Sequence, residues 1–371
     1  MKKLILVLIF SIAWFINIAQ TTNDVLELLI KNKTITQSQA DSIRGQAAIK
    51  QQDVNANKTL SFLTANRMMR LTGFTQIRYL NQDAKGAIDG FDIRRARLDF
   101  MGDLTPFLSY RLQADFAGSP KLLDGYADIK PFDFMTITIG EAKIPFSQEN
   151  IVLDNLMDQI DRSQVVEALV ARSKDVIGNQ NGRDIGVQIG GKIIKFNSRY
   201  LFDYGIGVFN GSGINVSDNN ERKDVIGRLV MHPIKGLGMG GSFYTGEAKF
   251  GTPTATNQDR QRHGAELAYE CKRFAFYSEF ISGKDGATNR NGWYAQASYF
   301  FIPVKFQIFV KYDEYDPDTS LSNNLSTNYI IGGTYNFNSW SKIKAGYTYN
   351  ITQGTTIAHN NLGVIQYQIS F

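Results

Sequence analysis

Four arginines, Arg78, Arg95, Arg97 and Arg111, fall within a short stretch of chain, and Lys143 follows them. A guanidinium offers paired N–H donors that match two oxygens of an oxyanion, and it stays charged at any physiological pH. Several such groups along one wall let an anion pass between sites of similar affinity, provided that each binds weakly enough to release it. That chemistry is recognition and passage rather than bond making. The three histidines, His232, His263 and His359, stand at unrelated points, and no serine is placed beside His263 to make a nucleophilic pair. Neither a glycine-rich nucleotide loop nor a metal-type histidine spacing occurs. Cys271 is the single cysteine, which excludes an intramolecular disulfide and a cysteine metal site. The expectation is a protein that is not an enzyme, holds no cofactor or metal, and takes no nucleic acid.

The segments that carry these cations alternate with a period of two. Leu108, Tyr110, Leu112, Ala114 and Phe116 share one face, while Ser109, Arg111, Gln113 and Asp115 share the other. Arg95, Arg97 and Asp99 oppose Ala96, Leu98 and Phe100 in the same way. Such spacing puts apolar residues toward lipid and polar ones toward water in a transmembrane barrel. The 25 Phe and 17 Tyr fit that reading, as does the ordinary hydrophobic content of 43%. Strands are expected near residues 75, 97, 111, 126, 138, 188, 204, 227, 241, 267, 278, 296, 310, 332, 347 and 367, an even set wide enough for an aqueous lumen. The fold class is an all-β transmembrane barrel of about sixteen antiparallel strands. Its last strand carries Ile365, Tyr367, Ile369 and Phe371 on one face and Gln366, Gln368 and Ser370 on the other.

The N-terminus reads differently. Lys2 and Lys3 precede an apolar run, Leu4 to Ile18, and Ala19 is the expected end of a signal peptide spanning residues 1–19. Removing both lysines takes the formal charge from +5 to +3, too little to name a partner. Residues 20–66 are polar and helix-prone, with Thr36-Gln37-Ser38-Gln39 fitting a capping box, and are expected to form a periplasmic helical segment and linker. The barrel is expected over 67–371. One long connection, near 144 to 182, breaks the strand rhythm; Leu153 to Val170 has helical texture. Connections of that length are often functional, and folded inward it would narrow the lumen.

Two segments, Phe91-Asp92-Ile93-Arg94-Arg95-Ala96-Arg97-Leu98 and Gly140-Glu141-Ala142-Lys143-Ile144-Pro145-Phe146-Ser147, resemble the phosphate-selective porin O and P family. The order of features agrees too: signal peptide, short helical region, arginine-rich strand, Gly-x-x-Lys-x-Pro-Phe before a long loop, aromatic end. The resemblance implies a sixteen-stranded trimeric outer-membrane channel with an inward-folded third loop, passing small anions and phosphate above all. On the family's motifs, Arg95, Arg97 and Lys143 belong to the anion path, whereas Arg78 and Arg111 join it by alternation. The loop carries Arg162, Arg172 and Lys174 as constriction candidates but no dense lysine cluster, and it also holds Asp154, Asp158, Asp161 and Glu167. The expected partners are phosphate-like anions, outer-membrane lipid, the barrel-assembly machinery through the C-terminal strand, and two further copies of the chain.

A structural reading of the same residues stands beside this one. Asp99, Asp115, Asp124 and Asp128 occupy the face of the arginines, so cross-strand ion pairs would hold the wall and cancel its field. Glu279 and the pair Lys311 and Asp313 are expected to be structural. A second functional reading is a structural or adhesive barrel with a plugged lumen.

Overall fold

The computed structural model describes residues 60–64, 67–84, 86–197, 199–354 and 360–371. The expected signal peptide, residues 1–19, and nearly all of the expected helical segment, 20–66, lie outside the described residues. At the end of that segment Leu60–Thr64 forms a short strand, β1.

Sixteen longer strands follow. They are β2 (Arg67–Gln82), β3 (Gly90–Thr105), β4 (Leu108–Asp115), β5 (Lys121–Phe132), β6 (Met135–Lys143), β7 (Arg183–Phe196), β8 (Arg199–Phe209) and β9 (Asp224–Met231). The second half comprises β10 (Leu237–Phe250), β11 (Thr256–Glu270), β12 (Phe274–Asp285), β13 (Thr288–Ile302), β14 (Phe306–Asp316), β15 (Ser326–Asn336), β16 (Ser341–Thr352) and β17 (Leu362–Ser370). Each expected strand centre falls inside one of them. All neighbours pair antiparallel, and β17 closes on β2 from Leu362 opposite Gln82 to Ser370 opposite Phe74. Closure removes the free edges, so every strand satisfies its backbone without water.

The faces alternate as the sequence pattern requires. In β17, Ile365 is 52% exposed while Gln366 is 1% exposed. Exposed Leu112 and Phe116 oppose buried Gln113 and Asp115 in and after β4. Exposed apolar side chains such as Ile139, Val187, Phe280, Val310, Ile331 and Tyr347 continue around the outside. Among the described residues no helix is long and apolar enough to cross a membrane; the barrel would cross with its strands.

At the seam Phe371 packs against β2. Gly73 and Phe371 exchange backbone hydrogen bonds of 2.9 Å in both directions. The Phe371 ring lies over Gly73, where a methyl group would stand 2.6 Å from the ring Cζ. Beyond this point β1 pairs with β2, Leu60 opposite Leu71 to Thr64 opposite Arg67, and takes up the edge of β2 where β17 stops. Turns at this end of the barrel are short, and the longer connections gather at the other.

The longest connection, 144–182, carries two short helices, α1 (Gln148–Ile151) and α2 (Gln164–Leu169). The helical texture expected over 153–170 is thus confined to six residues. Residues 153–163 form turns instead, because their polar side chains bond to the barrel wall and to one another, as described below. Phe146, Val165, Val166 and Leu169 are buried with Phe209, Ile226, Tyr244, Ile281, Tyr294 and Tyr315 of the strands. An apolar core therefore sits on the inner face of β8 to β14, where alternation alone predicts water.

Candidate functional site

The inner wall and the 144–182 segment form one structure. Three inner-face glycines receive the segment's apolar side chains. A methyl group on Gly264 would stand 3.5 Å from Phe146, one on Gly292 would stand 2.9 Å from Val165, and one on Gly346 would stand 3.3 Å from Ile160. Polar contacts fix the same docking. The Asp313 carboxylate accepts the Gln164 N–H at 2.9 Å, at the start of α2. Lys311 Nζ donates to Glu149 Oε1 at 2.7 Å. Asp158 accepts from Ser298 at 2.9 Å and from Gln307 at 2.7 Å.

The arginines expected on the anion path are brought to this segment. Arg78 makes a bidentate contact with Asp92, Nε at 2.9 Å and Nη2 at 2.5 Å, and reaches Asp161 at 3.4 Å. Arg95 lies 3.2 Å from Asp154 and donates to Gln76 Oε1 at 2.8 Å. Arg97 binds Asp115 at 2.9 Å and also donates to Asp154. Arg162 folds back from the segment onto Asp154 too, and donates to the carbonyls of Glu149 and Val152 at 3.0 Å each. One buried carboxylate is thereby shared by three guanidiniums. Burial pushes the Asp154 carboxyl up, but Arg162, Arg95 and Arg97 outweigh it and hold the group well below the ordinary aspartate value.

Lys143 is held differently. Its ammonium donates to the carbonyls of Asn150 and Val152 at 2.8 Å and of Ile151 at 3.3 Å, all backbone. Arg111 faces Asp99, with Nη2 at 2.5 Å, and Asp124 at 3.6 Å. Arg172 is buried, and its guanidinium donates to Asn150 Oδ1 at 2.7 Å and to the Asn181 carbonyl at 3.1 Å. Burial, followed by the charge of Arg162, pushes its pKa well below the ordinary arginine value. Lys174 is exposed and does not join the group.

Three of the four wall aspartates are engaged: Asp99 with Arg111, Asp115 with Arg97, and Asp124 with Arg183 at 2.6 Å. Asp128 instead accepts a hydrogen bond of 2.6 Å from the Thr138 hydroxyl.

Sequence reasoning missed other cations of the group. Arg94 belongs on the outer face by alternation. A register shift between β2 and β3, where Gln76 pairs with Arg95 and Ile77 with Ile93, makes Arg94 the extra residue of a bulge. Its side chain reaches Asp161 at 3.1 Å. Lys342 donates to the Asn155 carbonyl at 2.5 Å, and Lys344 to the carbonyls of Met157 and Gln159. Their signal was present in the alternation of β16, but their partners lie 187 and 185 residues away.

Opposite the docked segment an opening of about 310 Å³ remains. Ile151 and Leu153 border it on the segment's side, with Lys143. The wall of β4 to β9 borders it with Arg111, Tyr126, Asp128, Gln188, Asp203 and Arg228. Arg228 is paired with Glu266 at 2.5 Å. Among the described residues no group of side chains could hold a metal ion.

The comparisons agree with this architecture. An anion-selective porin from Comamonas acidovorans aligns with a TM-score of 0.60 and 15% identity, over 82% of this chain and 100% of its own. The outer-membrane channel DcaP of Acinetobacter baumannii aligns with a TM-score of 0.60 and 10% identity, over 84% and 99%. OmpT of Vibrio cholerae, in its trimer form, aligns with a TM-score of 0.57 and 12% identity, over 82% and 99%. At these identities the likeness shows the fold. No curated protein sequence matches. The model of the family described as phosphate-selective porin O and P matches residues 70–249, the stretch that holds the arginine-rich strand, Lys143 and the docked segment. Family model and fold together point to a channel of the outer membrane rather than an enzyme, and over residues 70–249 the chain matches the phosphate-selective porin O and P family.

Proposed function

We propose that the chain is a passive diffusion porin for small anions, with phosphate or a related oxyanion as its preferred solute and a homotrimer as its working state. The observation that carries the anion reading is a basic cluster where the docked segment meets β2, β3, β6 and β16. There the basic side chains Arg78, Arg94, Arg95, Arg97, Lys143, Arg162, Lys342 and Lys344 outnumber the acidic Asp92, Asp115, Glu149, Asp154, Asp158 and Asp161, eight to six. The three lysines are met by backbone carbonyls, which satisfy their donors. Of these cations Lys143 borders the opening, together with Arg111 and Arg228 of the wall, and basic side chains along a narrow passage draw anions toward it. The arginines act in this reading as a shared field rather than as a ladder of free binding sites, because each already holds a carboxylate or a carbonyl.

Single-channel current carried by chloride and titrated with phosphate tests the reading. A preferred oxyanion resides longer and lowers chloride conductance. Chloride current indifferent to phosphate would remove the oxyanion preference, and the absence of any current would favour the plugged, structural barrel.

A further inference from the structure

Four successive turns at the short-turn end of the barrel each bring an exposed lysine to the rim. Lys195 stands at the β7–β8 turn, Lys235 at β9–β10, Lys272 at β11–β12 and Lys305 at β13–β14. Neighbouring turns are two strand spacings apart, roughly 10 Å along the rim. The side chains of two of them are directed to the outer face. Lys195 Nζ lies 5.9 Å from the ring centroid of Tyr200, which shares the face of exposed Ile206 and Val208. Lys305 Nζ lies 5.6 Å from the centroid of Tyr335, which shares the face of exposed Tyr329 and Ile331. A lysine whose stem covers an interfacial aromatic ring holds its ammonium at the level of lipid headgroups.

Carboxylates offset this sector only in part. One exposed carboxylate, Glu270, stands at the same rim beside Lys272 and accepts the Tyr277 hydroxyl at 2.8 Å, while Asp203 faces the lumen opening, 3.2 Å from His232. The opposite rim is arranged otherwise. There Arg222 pairs with Asp259 at 2.8 Å, Lys223 pairs with Asp218, and Asp83, Asp89, Asp316 and Asp318 add negative charge. Among the described residues the short-turn rim thus carries one continuous sector in which lysines outnumber carboxylates, whereas the opposite rim mixes both signs.

We propose that this lysine sector selects anionic glycerophospholipids, through their headgroup phosphates, from the membrane leaflet at the short-turn rim. Its ligand is part of the membrane, and the inference holds whichever solute crosses the lumen.

The test uses the full chain and a fourfold variant, Lys195→Gln, Lys235→Gln, Lys272→Gln and Lys305→Gln, folded into phosphatidylcholine vesicles. Each carries spin-labelled phosphatidylglycerol or spin-labelled phosphatidylcholine, and the motionally restricted lipid fraction is measured. The native chain is expected to restrict phosphatidylglycerol over phosphatidylcholine by about twofold or more. The ratio should fall toward unity in the variant and in high salt, while single-channel conductance stays unchanged. Equal restriction of the two lipids by the native chain, or selectivity retained by the folded variant, overturns the proposal. If the variant does not fold, the salt titration of the native chain decides, and selectivity indifferent to salt overturns it. Loss of selectivity in inorganic phosphate beyond that in potassium chloride of equal ionic strength would assign the lysines to free phosphate. Co-sedimentation with purified cell-wall sacculi that the variant loses would assign them to the cell wall. Either result overturns the lipid assignment.

Discussion

At the scale of single residues, Asp154 is the point on which the lumen turns. It is 5% exposed and is met by Arg95, Arg97 and Arg162. Removing one member of a buried ionic group leaves the others desolvated and unpaired, a loss of roughly 3–5 kcal/mol. Asp154→Asn should therefore lower the unfolding free energy by that order in a denaturant titration. A change no larger than the roughly 0.5 kcal/mol of a surface substitution would show that the guanidiniums are satisfied without it. The pH dependence follows from the same contact. The folded carboxyl is held well below the ordinary value of 3.8. A depressed carboxyl stabilises above its unfolded value and loses that contribution as pH falls through the folded one. The Asp154 contribution should thus be constant from neutral pH down to about pH 4 and disappear only below it. A stability difference between the native chain and Asp154→Asn that already shrinks between pH 7 and pH 5 would contradict the assignment.

At the scale of elements, the 144–182 segment is a built part of the wall. Its apolar side chains sit over inner-face glycines, and its polar ones bond to strands from both ends of the chain. Gly346 is the most direct probe. A side chain there meets Ile160 Cδ1 at 3.3 Å and the Ile331 carbonyl at 3.6 Å. Gly346→Val should unseat Ile160, destabilise the barrel by roughly 1–3 kcal/mol through overpacking, and make the open-channel current noisier. Unchanged stability together with unchanged current noise would show that the segment is not seated on β16. This docking marks where sequence reasoning stopped. Alternation assigned Arg78, Arg95, Arg97 and Arg111 to the inner face, and it named Asp99, Asp115 and Asp124 as carboxylates on that face. It could not see that Asp154 and Asp161 meet the arginines, since those contacts are made by a segment without a period. Nor could it see Arg94, which a one-residue bulge returns to the segment, or the apolar inner core around Ile226, Ile281 and Tyr294.

At the scale of the whole molecule, the sixteen strands and their two faces were legible because a barrel writes a period of two into every strand. The seam was legible for the same reason, from the alternation that ends at Phe371. The closure sets Arg78 opposite Gln366 and brings the arginine-rich strands beside β17 and, next to it, β16, which supplies Lys342 and Lys344. The net field of the lumen is a property of this assembly and of no single arginine. Its sign is the central claim. The zero-current potential across a planar bilayer that separates two concentrations of potassium chloride measures that sign directly. The basic cluster of β2, β3, β6 and β16 predicts a potential of the polarity set by chloride as the more permeant ion, and a potential of the polarity set by potassium would contradict it.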